Sequence, residues 1–96
     1  MQTEYDLTAV ASQCKIKGIP RAIAQYSHPG DAFLFLVLIE QDHNFVIWTY
    51  NAQVTGFSDG HYFHFYPDIF FGRPDRRHAF SEALACYKYR LGLYCH

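Results

Sequence analysis

Residues 32–40, AFLFLVLIE, form a nearly unbroken apolar run with turn-forming sequence on both sides, SHPGD before it and QDHN after it. The run is too short to cross a membrane, which takes roughly 18 residues or more. Its aromatic and β-branched content suits a strand better than a helix, and apolar residues at consecutive positions mean that both faces of that strand must be buried. The chain is therefore expected to build a sheet around this segment. FVIWTYNA follows directly after QDHN, so residues 32–51 are expected to form a hairpin.

The next strand is expected at HYFHFY, residues 61–66, after a connection QVTGFSDG in which Gly56 and Gly60 permit tight backbone geometry; Pro67 ends it. Alternation places His61, Phe63 and Phe65 on one face and Tyr62, His64 and Tyr66 on the other. Residues 19–26, IPRAIAQY, allow two readings: a short helix starting at Pro20, or an edge strand in which Pro20 costs no ladder bond. The SHPGD segment that follows suits a type II turn, which favours the strand.

Helices are expected at both ends. Leu7, Val10, Ala11 and Cys14 recur at helical spacing behind Asp6 as N-cap, and Gly18 and Pro20 stop the helix. Toward the C-terminus, Ala79, Phe80, Ala83, Leu84, Tyr87 and Leu91 make one stripe of a helix from about Asp75 to Leu91, with Arg77, Glu82 and Lys88 on its solvent side. The fold class is thus α+β: a small antiparallel sheet of three to four strands packed with an N-terminal and a C-terminal helix. At 96 residues, half of them apolar, the chain is expected to form one domain over residues 1–96.

The formal charge of −1 hides a division along the chain. Residues 22–72 contain no Lys or Arg but carry Asp31, Glu40, Asp42, Asp59 and Asp68. Arg73, Arg76, Arg77, Lys88 and Arg90 follow, outnumbering Asp75 and Glu82. Exposed aromatic rings on a sheet can stack on unpaired bases, yet a phosphate-tracking groove should interleave cations with them. Only the cluster at residues 73–77 offers an RNA or single-stranded DNA reading, as an alternative to protein binding.

A reaction is harder to find. Cys14, Cys86 and Cys95 are odd in number and widely spaced, which fits reduced thiols better than a disulfide framework. Six histidines occur without the spacing of a zinc site, and His61 and His64 fall on opposite strand faces, so no metal or other cofactor is expected. A Cys/His catalytic pair, with Cys86 or His78 beside another ionisable group, is the enzymatic alternative. The opening MQTEYDLTAV has neither the charged region nor the apolar stretch of a signal peptide, which points to a soluble cytoplasmic protein.

These readings converge on a non-enzymatic protein-binding module, an inhibitor or accessory subunit that docks through an aromatic sheet face. Its expected contact residues are Trp48, Tyr50, Tyr62, His64 and Tyr66, rings of the type enriched at interface hot spots, with Arg73, Arg76 and Arg77 as an electrostatic rim. A homodimer through a strand edge or the same face is a variant of this reading.

Overall fold

In the computed structural model, which describes residues 6–65 and 75–94, the apolar run is the inner strand the sequence requires. The sheet is a four-stranded antiparallel meander in the order β1-β2-β3-β4, formed by Ile19–Gln25, Leu34–Glu40, Asn44–Asn51 and Gly56–His64. Helix α1 (Leu7–Cys14) precedes it and helix α2 (Arg76–Tyr94) follows, giving the expected α+β fold.

Strand β2 is buried from Phe35 to Glu40, and its alternation divides the core into two layers. Leu36 and Leu38 face α2, joining Phe45 and Ile47 of β3 and Ala79, Ala83 and Tyr87 of the helix. Phe35, Val37 and Ile39 face α1, joining Val46 and Tyr50 of β3 and Val10 and Cys14 of the helix. Each fully buried large side chain here contributes on the order of 1.5–3 kcal/mol relative to exposure. A charged residue at Val37 or Leu38 would forfeit that and add the desolvation cost of an unpaired charge.

Local signals set the helix ends. The Asp6 carboxylate accepts a hydrogen bond from the Thr8 amide at 2.9 Å, and Asp75 accepts one from the His78 amide at 2.9 Å, so each caps the first turn it precedes. Gly18, with φ of 149°, turns the chain from α1 into β1; a Cβ there would run into the Glu40 carbonyl oxygen. Of the α2 stripe, Ala79, Ala83 and Tyr87 are buried, while Phe80 sits at the rim with 36% exposure. The Tyr87 hydroxyl donates to the Leu36 carbonyl at 3.2 Å, tying helix to sheet.

Residues 19–25 are the edge strand β1, the reading that the following turn favours, with a register shift between Pro20 and Ala22 that absorbs the proline. Two local expectations change. Pro29–Asp31 form a 3₁₀ turn with the His28 ring accepting from the Gly30 amide at 3.2 Å. The second difference is larger: β4 begins at Gly56, five residues ahead of the expected start at His61. Ser58, Asp59 and Gly60 read as a turn in sequence, but Asp59 has φ of 55° and the pairing with β3 shifts register there, so they form a bulge inside the strand. The turn itself lies at residues 52–55, where the Asn51 side chain accepts from the Gln53 amide at 2.9 Å.

Among the described residues, no helix is long and apolar enough to cross a membrane. Tyr66, the last residue of the expected HYFHFY strand, and Pro67, expected to end it, lie outside the described residues.

Candidate functional site: an aromatic strip on the sheet

The bulge determines which rings share a face. Before it, Phe57 pairs with Tyr50; after it, Tyr62 pairs with Val46. Both partners belong to the α1 face, so Phe57 and Tyr62 lie on one side although they are an odd number of residues apart. The result is a continuous series of ring contacts. Phe35 meets Tyr50 at 6.5 Å between centroids, Tyr50 meets Phe57 at 4.9 Å, Phe57 meets Trp48 at 6.1 Å, and Trp48 meets Tyr62 edge-on at 5.6 Å. Tyr62 then stacks with His64 at 6.3 Å and 14°.

This series runs from core to solvent. Phe35 is fully buried and Tyr50 is 2% exposed, Trp48 and Phe57 are half-buried, and Tyr62 reaches 45%. Helix α1 explains the gradient: Val10 and Cys14 pack with Phe35 and Tyr50, and the helix ends after 8 residues without covering the β4 side. Tyr50, expected among the contact residues, is therefore core; it anchors the strip and presents no ring to solvent. Burial raises the pKa of its hydroxyl, with a smaller contribution from the charge of the Cys14 thiolate. Burial likewise pushes the Cys14 thiol up to about 11, which leaves it a small hydrophobe at neutral pH.

Two features fix the exposed end of the strip. Gly60 lies beneath Trp48 so closely that a Cβ would collide with the six-membered ring of the indole. The Lys17 ammonium sits 5.5 Å from the Trp48 ring and 5.3 Å from that of Phe57, close enough for a cation–π attraction. The indole N–H of Trp48 and the side-chain oxygen of Asn44, both on β3, are buried without a hydrogen-bond partner among the described residues.

The expected electrostatic rim is distributed differently. Arg76 reaches the carboxylate of Glu40 at 3.3 Å and lies over the Phe65 ring at 5.4 Å, whereas Arg77 is exposed on α2. Tyr66 and Arg73 lie outside the described residues. Glu40 also accepts from Arg21 at 2.9 Å and 3.0 Å, so one carboxylate joins β1, β2 and the start of α2. Sequence reasoning missed Phe57, Lys17, Arg21 and Glu40. Only Phe57 carried a local signal, an Asp-Gly pair followed by regular alternation, which is compatible with a bulge as well as a turn.

Cys86 is half-buried against the α2-side cluster. His78 pairs with Glu82 one helical turn away, at 2.9 Å, on the exposed side of α2. No group of three or more metal-ligating side chains is found among the described residues. Comparison with protein-family models, curated proteins and solved structures finds no match for this chain.

Proposed function

We propose that this chain is a non-enzymatic protein-binding module acting in the cytoplasm, an inhibitor or accessory subunit, and that it docks through the strip formed by Trp48, Phe57, Tyr62 and His64. The observation that carries this reading is the graded exposure of one ring series. Its buried end is locked into the core and its outer end, at Tyr62, is 45% exposed. Rigid amphipathic rings held by packing lose little conformational entropy on binding, which is why they recur at interface centres.

Charge favours a protein over a nucleic acid as the occupant. The strip strands β3 and β4 carry no Lys or Arg, and Asp59 sits within β4. Arg76 of the basic cluster lies over Phe65, which packs with the α2-side cluster and not with the strip. Among the described residues, the cation in contact with the rings of the strip is the Lys17 ammonium.

Combining Tyr62→Ala with His64→Ala tests the proposal. The pair should weaken capture of the cellular partner by about thirtyfold, the loss of a typical hot spot. Thermal unfolding should stay close to that of the unmodified protein, because both positions are exposed. Unchanged capture by the folded variant would overturn the reading. Sedimentation of the isolated protein reports the homodimer variant: a dimer lost in the double variant makes a second copy the partner.

A further inference from the structure

We infer that a cleft beside the strip receives an acidic segment of the partner, an inference that rests on the protein-binding reading above. The cleft measures about 650 Å³ and lies where the loop leaving α1, the start of β1, the turn after β2 and the first residue of α2 meet. Lys15, Lys17, Arg21 and Arg76 line it together with Glu40 and Asp42; with the Lys17 ammonium resting on Trp48 and Phe57, three cations stand against two carboxylates. Arg21, from before the acidic middle of the sequence, and Arg76, from after it, converge on one of its carboxylates, that of Glu40.

Glu40 orders this cleft without closing it. Its side chain is 10% exposed and holds both guanidinium groups, yet Arg21 and Arg76 remain 45% and 61% exposed. Arg21 commits Nε and Nη2, and Arg76 commits Nη1. Among the described residues, the further N–H donors of each planar group have no other acceptor, and the group is held in one orientation, the condition under which arginine recognises carboxylates best.

The surroundings favour a peptide over a small anion. Ile16 and Ile19 line the cleft with 74% and 54% of their surfaces exposed, and a free phosphate has no use for them. Lys17 joins the cleft to the strip, because its stem lines the one and its ammonium rests on Trp48 and Phe57 in the other. A segment alternating carboxylates with aliphatic side chains matches both parts.

Trp48 is the single tryptophan of the chain and Lys17, which lines the cleft, sits over its ring, so its fluorescence reports occupancy through Lys17. The probes are a blocked hexapeptide alternating Glu and Leu, its Gln and Leu counterpart, and inorganic phosphate. The Glu peptide should shift Trp48 emission saturably, and binding should be at least tenfold weaker for the Gln peptide and for Lys15→Glu. Lys15 is exposed, so this charge reversal changes the cleft without disturbing the core. Equal binding of the two peptides, or displacement of the Glu peptide by equimolar phosphate, would overturn the inference. No saturable shift with the Glu peptide would overturn it as well. Partner capture separates the two readings. If Lys15→Glu leaves capture intact while Tyr62→Ala with His64→Ala removes it, the cleft proposal fails and the strip stands; if neither changes capture, both fail.

Discussion

The two faces of the sheet are apolar to a similar degree but are covered unequally. On one, the 19-residue α2 lies on Phe45, Ile47 and Leu38 through Ala79, Ala83 and Tyr87, and small residues at two of these positions let helix and sheet approach closely. On the other, the 8-residue α1 reaches Phe35 and Tyr50 but not the β4 side. The same residue types therefore have different fates. Phe45 is 1% exposed and Tyr62 is 45% exposed, although the two occupy adjacent strands. Helix length, more than ring chemistry, decides which aromatics are core and which are available to a partner.

Truncation at the closed face should produce the largest effect. Phe45→Ala removes a ring packed against Phe65 and Phe80, at centroid distances of 5.2 and 5.1 Å, and is expected to cost about 3–5 kcal/mol by chemical denaturation. A cost below about 1 kcal/mol would mean that the α2 face is not the tighter of the two.

Alkaline pH probes the face that α1 only partly covers. The unfolded chain releases the Cys14 proton near the ordinary value of 9.0, while the folded chain retains it to about 11. The resulting stability is fully present below pH 9 and is lost as pH rises toward 11, by up to roughly 3 kcal/mol at 1.36 kcal/mol per unit. Tyr50, raised in the same direction, adds to the loss. Denaturation midpoints measured from pH 8 to 11 should fall more steeply for the unmodified protein than for Cys14→Ala. Parallel curves would mean that α1 leaves this thiol in contact with water.

The smallest expected effect falls at the boundary between the two regimes. Gly60→Ala forces the Trp48 ring to move, at about 1–3 kcal/mol, with a change in indole emission. Unchanged emission would show that the strip is loose rather than held.

Much of this architecture was readable from residue order. The apolar run fixes β2 as an inner strand, and helical spacing identifies Val10 with Cys14, and Ala79 with Ala83 and Tyr87, as contacts. Alternation also assigns Tyr62 and His64 to one face. The burial of Tyr50 was not readable, because it depends on where α1 docks, and spacing within a strand says nothing of what lies above it. The Arg21–Glu40–Arg76 group was equally hidden, since its members come from three elements and meet only when the meander closes. The early start of β4 was missed for a different reason: Ser58, Asp59 and Gly60 have the chemistry of a hairpin turn, and only the partner strand reveals that pairing continues through them.

That bulge has a consequence for how the chain can change length. Deleting one residue at 59–60 leaves Phe57 and Tyr62 four apart, matching the four residues from Tyr50 to Val46 on β3, so regular alternation keeps both rings on the α1 side without a bulge. The same deletion at residues 52–55 only shortens a solvent-facing turn. Two neighbouring segments of similar polar composition can thus each lose a residue, for different reasons: one is a connector, and the other holds an extra position opposite Trp48.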